Sequence, residues 1–189
     1  DGIRDRDVTG VQTCALPIFP IIASIMDVGA SGGYYIASAA DRIMAHPSTV
    51  TGSIGVIMLT VNAHGLLEKV GVEATAITSG PRKDMGSPFR AMTPEERSLF
   101  QGLIDSFYQR FLTVVQEGRP NLQMEQIKKL ADGRIYTGDQ AKAAGLVDEI
   151  GYLEEAIEAA KKHAGLAEAK VVTYRRPGDY SNNVYTRLM

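Results

Sequence analysis

Apolar and polar positions along the chain fall into blocks of two periods, one strand-like and one helical. "PIIASIM", Pro20 to Met26, is a continuous apolar, β-branched run bounded by Pro20 and by Asp27-Val28-Gly29, which predicts a buried strand. A glycine-rich turn, Gly29 to Gly33, comes next. "YYIASAAD" then continues with small, helix-compatible residues, so the local reading is strand, turn, helix. "RIMAHP" predicts a second short strand ended by Pro47. "TVTGSIGVIMLTVN" is β-rich with two glycines and predicts a bent strand, or a loop followed by a strand. "HGLLEKVGV" predicts a short helix closed by Gly71, and "EATAITSG" a further strand.

"SGPRKDMGSPFRAM", Ser79 to Met92, lacks periodicity and reads as a loop. A clear helix start follows it: Thr93 as N-cap, Pro94 at the first helical position and Glu96 completing a capping box. Leu99, Phe100, Leu103, Ile104, Phe107, Phe111 and Val114 recur at helical spacing, predicting an amphipathic helix of about six turns that ends near Gly118. Its aromatic stripe is expected to serve as core or as a subunit interface. "MEQIKKLADG" predicts a short helix. "RIYTGDQAKAAGLVDEIG" predicts a turn, a Thr137-capped helix stopped by Gly145 and a short apolar Leu-Val. "YLEEAIEAAKKHAG" predicts a surface helix with a solvated charged face, and "AKVVTYRRPG" a last strand. Short strands alternating with helices indicate an α/β domain with parallel pairing.

Length and composition narrow the class. The chain has 189 residues, the size of one domain, with 44% hydrophobic and 22% charged residues. A net charge of −2 gives no reason to expect nucleic acid or an anionic membrane surface as partner. No run of apolar residues is long enough for a transmembrane helix. His46, His64 and His163 show no metal-ligand spacing, so neither a metal nor a cofactor is expected. "DVTGVQTCALPI", Asp7 to Ile18, resembles the translation of a widely used sequencing adapter and is set aside from fold reasoning. The expected division is therefore 1–18 as a non-native segment, 19–168 as one domain incomplete at its N-terminus, and 169–189 as a strand and tail. Cys14, the one cysteine, falls in the excluded segment.

Gly29-Ala30-Ser31-Gly32-Gly33 contains Gly-x-Ser-x-Gly. A serine on a tight strand-to-helix turn exposes its hydroxyl, and the N–H groups that follow can face a developing oxyanion. Serine is equally a favoured helix N-cap, so both readings stand on this stretch alone. A nucleophile needs a base. A hydrolase triad would require a downstream acid and then a histidine, and only His163 suits that order. It lies in the lysine-rich end of a surface helix, where a solvated histidine is the simpler reading. A lysine can serve instead if it is neutral, which asks for about three pKa units, or about 4 kcal/mol. Most lysines sit on polar helix faces; Lys83, between Arg82 and Asp84 in the Gly/Pro-rich loop, does not.

"ASGGYYIASAADRIMAHPSTVTGSIGVI", "SGPRKDMGSP", "MTPEERSLFQGLIDSFYQRF" and "ADGRIYTGDQAKAAGLVDEIG", in that order, resemble the signal peptide peptidase A family of Ser/Lys proteases, from about Pro20 to Ala164. The resemblance implies an α/β fold of the ClpP/crotonase type, with short parallel strands and surrounding helices. It implies Ser31 as nucleophile, Lys83 as general base, Ser53 in "TGSIGV" as the serine that hydrogen-bonds the base, and the Gly32 N–H as an oxyanion donor. It implies no cofactor, apolar signal-peptide remnants as substrate, and a homo-oligomer whose active sites are shared between subunits. It further implies a bacterial, membrane-associated protein whose active domain lies outside the cytoplasm. An upstream glycine-rich loop that completes the family's oxyanion hole, and a membrane anchor, are not found in this sequence. Losing one oxyanion donor costs about 2.7–4 kcal/mol, so the fragment as written is expected to be poorly active or insoluble. Two other classes share features with this reading: a crotonase-type acyl-CoA lyase or hydratase using Asp27 or Asp41, and a non-catalytic assembly subunit.

Overall fold

The apolar run after Pro20 forms β1 (Ile22–Ile25), and the chain then bends into a separate short strand, β2 (Val28–Ala30). The structure, a computed structural model, describes residues 19–174. The adapter-like segment with Cys14, and the tail from Arg175 onward, lie outside the described residues. After Ser31 the chain enters α1 (Gly32–Ala37), followed by β3 (Arg42–Ala45) and β4 (Val50–Gly52). A short helix α2 (His64–Lys69) precedes the long helix α3 (Pro94–Gly118). The remaining elements are α4 (Met124–Leu130), β5 (Ile135–Thr137), α5 (Gly138–Ala143), β6 (Glu149–Ile150) and α6 (Leu153–His163).

The strands form two small sheets. One has the order β1-β3-β6 and is wholly parallel; the other has the order β2-β4-β5, with β2 and β4 parallel and β5 antiparallel to β4. The fold is thus α/β with short, mixed but mainly parallel strands and helices packed around them. Strands this short are stabilised by burial rather than by their ladders. One apolar cluster joins the β1-β3-β6 sheet to α1, α3, α4 and α5 through Ile25, Tyr34, Ile43, Leu112, Ile127 and Leu146, and half-buried Tyr136 of β5 packs against it from the second sheet.

Two expected strands are absent. "EATAITSG" is irregular and exposed up to Ser79, and β4 ends at Gly52, with the apolar run Val56–Val61 that follows it irregular too. A strand needs a partner edge, and among the described residues none pairs with either segment. Residues 169–174 of the expected last strand are also irregular; the rest of it lies outside the described residues.

Helix α3 starts as its sequence predicts. The Thr93 hydroxyl accepts the Glu96 N–H, the Glu96 carboxylate accepts the Thr93 N–H, and Pro94 opens the first turn. Its 25 residues run for about 37 Å. Only the second half is core: Phe111, Leu112, Val114 and Val115 are buried, and Phe111 meets Tyr35 of α1 edge to face at 5.2 Å. The two helices touch so closely at their ends that a Cβ on Gly118 would come within 2.0 Å of the Ser38 carbonyl oxygen. The first half leaves the domain, and Leu99, Leu103 and Phe107 of the predicted apolar stripe are exposed.

Residues 56–107 therefore form an arm. Among the described residues, every buried apolar side chain lies outside it. Within it, Ile77 is 98% exposed, Ile57 86% and Phe107 58%. The Ala63 N–H donates to the Pro88 carbonyl at 2.7 Å, tying α2 to the loop before α3.

Candidate active site

The Gly-x-Ser-x-Gly segment folds as strand, turn, helix because β2 is short, its successor is glycine-rich, and α1 is fastened from beneath. Tyr34 is fully buried, and its hydroxyl donates to the Leu146 carbonyl at 2.8 Å. The Ser38 hydroxyl donates to the Tyr34 carbonyl at 2.8 Å. Burial pushes the Tyr34 phenol up to about 12. Below α1, buried Arg119 donates through Nη1 to Asp148 at 2.9 Å, and Asp148 also accepts the Ile43 N–H at 2.7 Å. The first turn of α1 is thus held on a rigid base.

Ser31 itself sits at φ 51° and ψ −116°, a region that non-glycine residues rarely occupy. Such backbone costs on the order of 1–3 kcal/mol and persists only where the surroundings impose it. Ser31 stands in the N-cap position, yet its side chain makes no capping hydrogen bond. The capping alternative left open by the sequence is therefore not realised. The side chain is exposed, at the carboxyl end of a parallel strand and at the start of a helix.

Ser53 lies beside it. β2 and β4 pair in parallel with Ala30 opposite Gly52, so Ser31 and Ser53 leave the two strands as neighbours. The Ser31 N–H donates to the Gly52 carbonyl at 2.8 Å, and the Ser53 N–H to the Arg134 carbonyl at 2.8 Å. Ser53 also has φ 51°, so two adjacent strand ends carry a serine in the left-handed half of backbone space. The turn that receives Ser53 is closed by the Asp132–Arg134 ion pair, which draws the Asp132 carboxyl down to about 2. Gly32, the first residue of α1, is exposed next to Ser31.

Lys83 is brought to neither serine within the chain. It is exposed on the loop that folds back onto the first turn of α3. That loop is fastened by Arg90, whose Nε and Nη2 donate to the two carboxylate oxygens of Asp84 at 2.8 and 2.9 Å. Arg90 Nη1 donates to Glu96 Oε2 at 2.9 Å, and Nη2 pairs with Glu96 Oε1. The Arg90 hydrogen bonds, aided by the Thr93 N–H, hold the Glu96 carboxyl at about 2. Asp84 is lowered and Arg90 raised by the same contacts. Arg82 pairs with Glu95. Gly86, at φ 76°, brings the loop against the Phe100 ring. Glu96 lies fifteen residues before Phe111, so the loop stands about 22 Å along α3 from its crossing with α1.

The histidines are engaged elsewhere. His46 bonds the Ser48 hydroxyl at 2.7 Å and stacks edge-on with Tyr152; His64 pairs with Glu68; His163 lines a polar groove with Arg42 and Glu149 against the other sheet. Asp41 accepts the Ile21 N–H at 2.9 Å, a structural use of that carboxylate. Among the described residues no cluster of acidic, His or Cys side chains could hold a metal ion, and no helix is long and apolar enough to cross a membrane. The Asp84–Arg90–Glu96 clamp was not foreseen from the sequence. Its members are six residues apart, a spacing with no meaning in a helix or a strand.

Residues 17–167 match the model of peptidase family S49. The chain is 47% identical over 156 residues to a candidate signal peptide peptidase SppA of Enterococcus faecium, covering 82% of this chain and 45% of the relative. It is 50% identical over 151 residues to a candidate protease of Synechocystis sp., covering 80% and 54%. It is 39% identical over 155 residues to the chloroplastic serine protease SPPA of Arabidopsis thaliana, covering 82% and 23%. The chain spans about half the length of the first two relatives. A solved enoyl-CoA hydratase/carnithine racemase from Magnetospirillum magneticum superimposes at a TM-score of 0.36 with 17% identity, over 77% of this chain and 37% of that one, a likeness too loose to carry an argument. Matched along most of its length by the family model and by relatives named as proteases, the chain belongs to peptidase family S49, of the SppA type.

Proposed function

We propose that this chain is the catalytic part of a serine endopeptidase in which Ser31 of one copy works with Lys83 of a neighbouring copy. The carrying observation is Ser31 itself: strained, exposed and free of a capping bond, on a turn fastened from beneath. A nucleophile elbow has this form. The shared site is supported by the arm, which holds Lys83 away from the domain and leaves its apolar side chains uncovered. A second copy lying against that face would cover them and bring a lysine to each serine.

The steps follow from the groups. Neutral Lys83 accepts the Ser31 hydroxyl proton as Oγ attacks the peptide carbonyl carbon. The Gly32 N–H donates to the resulting oxyanion. Collapse breaks the C–N bond, and the lysine ammonium returns the proton to the leaving amine. Water then hydrolyses the acyl-serine with the same lysine as base. Ser53, beside Ser31, accepts and donates at the lysine amine and aims it. Substrates in this reading are extended apolar segments with small residues near the cut, and signal-peptide remnants fit that description. Membrane attachment, with the active domain outside the cytoplasm, belongs to the same proposal and would come from sequence beyond this chain. The division into a protease domain over 19–168 and a tail is kept with it.

The test uses the full-length protein and a fluorogenic apolar peptide. Ser31→Ala and Lys83→Ala should each lower kcat by at least about 10³-fold. Mixing the two inactive variants should restore part of the activity, because some sites would then pair an intact serine with an intact lysine. Full activity of Lys83→Ala would overturn the lysine-base reading. Two dead variants that never complement would place serine and lysine in one chain.

A further inference from the structure

We propose that Arg90 is a positioning residue for the base: it fixes the backbone beside Lys83 and takes up the Asp84 carboxylate that would otherwise keep the lysine protonated. The inference rests on the reading of Lys83 as base. Asp84 is the next residue along, so its carboxylate is the nearest fixed negative charge to the lysine in sequence. A free carboxylate there favours the ammonium form and opposes base catalysis. Arg90 engages both Asp84 oxygens and, through Nη2, the Asp84 carbonyl at 3.3 Å. The same guanidinium reaches both oxygens of Glu96, the buried N3 residue of the capping box. One planar cation therefore joins the residue after the lysine to the first turn of α3, a geometry that an ammonium cannot reproduce.

Other charges lie on the elements joined to the loop. Arg82 is paired with Glu95 of α3, and α3 also offers Glu96, held by Arg90, and exposed Arg97. From α2, which is tied to the loop through Ala63, come the His64–Glu68 pair and Lys69. Arg90 is thus the group that decides whether Asp84 acts on its neighbour.

A clamp that only staples the arm and a clamp that also governs the base differ in pH–rate behaviour. In the full-length protein, Arg90→Gln should lower kcat about 10- to 100-fold with little change in KM, and move the acid limb of the kcat profile to higher pH by about one unit. Asp84→Asn should move that limb to lower pH, because Arg90 then keeps its charge and loses one partner. This second variant retains the Arg90–Glu96 pair and the arm with it. Arg90→Gln combined with Asp84→Asn should return the limb toward the wild-type position while kcat stays reduced, and Arg90→Lys should recover only part of kcat. Acid limbs that stay in place in both Arg90→Gln and Asp84→Asn would overturn the proposal and leave a staple. Should Arg90→Gln fail to assemble, Asp84→Asn alone decides by the same criterion. Failure of the underlying reading is seen separately, as activity retained in Lys83→Ala.

Discussion

The globular part of the molecule and its arm are made of similar residues and held together by opposite means. In the globular part, Ile43, Ile54, Leu112, Ile127 and Leu146 are fully buried against one another, and polar groups such as Tyr34 and Arg119 are fastened among them. In the arm, leucines, isoleucines and phenylalanines face outward, and the buried side chain is a charged one, Glu96, enclosed by its ion pair with Arg90. Burial of apolar area is what stabilises a small domain. An arm without it keeps its shape through capping, turns and a guanidinium clamp. Such an element is suited to reach a neighbour and poorly suited to stand alone. Exposed apolar surface of this kind is what the proposed assembly would cover.

Mutations in the two regions should separate this contrast most widely. Leu112→Ala should cost about 2–5 kcal/mol in urea unfolding, as fully buried leucines do. Leu103→Ala, on the same helix and about two and a half turns earlier, should change monomer stability by less than about 0.5 kcal/mol. Equal losses would mean that the arm is packed as core and that the distinction is false.

Alkaline titration should reach the core next. Tyr34 ionises near 10 when unfolded and is pushed up to about 12 when folded. Its contribution is complete below pH 10 and is lost as pH rises toward 12, about 3 kcal/mol at ~1.4 kcal/mol per unit. Tyr34→Phe should cost about 1–3 kcal/mol at neutral pH by leaving the Leu146 carbonyl without its donor, and should flatten the alkaline fall. An unchanged alkaline fall in Tyr34→Phe would assign the loss to another group.

On the arm, Phe107→Ser or Ile77→Ser should leave thermal unfolding of the domain within a few degrees of wild type and shift sedimentation toward the monomer, with activity falling in parallel. An unaltered assembly would refute the arm as the interface. Acid should loosen the arm mildly, and with it the Asp132–Arg134 turn that receives Ser53. Glu96 titrates at about 2 in place of its usual 4.5, and Asp84 moves the same way, so the clamp is complete above about pH 4.5 and is lost as pH falls toward 2. Limited acid proteolysis should therefore cut within 79–92 before it cuts the domain. Cleavage elsewhere first would show that the clamp is not the arm's main restraint.

Part of the proposed site has a signal along the chain. Ser31 announces itself through the glycines around it, and Lys83 stands apart from the lysines of polar helix faces by lying in a Gly/Pro-rich loop. Ser53 came only from family resemblance, since one serine between glycine and isoleucine carries no local signal. Its place beside Ser31 is a matter of strand register, with Ala30 opposite Gly52. Nothing in the sequence pointed to Arg90.

By itself the sequence determined the features settled within a few residues: the capping boxes at Thr93 and Thr137, the stop at Gly145, the strand β1 and the turn at Ser31. These depend on local hydrogen bonds and backbone preference, which a short window contains. Only the tertiary structure decided which half of α3 is core, that "EATAITSG" is no strand, that the strand ends before Ser31 and Ser53 lie side by side while Lys83 is on the arm, and that one arginine holds two carboxylates twelve residues apart. Burial, strand pairing and ion pairing join residues far apart in sequence, and their strength depends on what the rest of the fold sets against them.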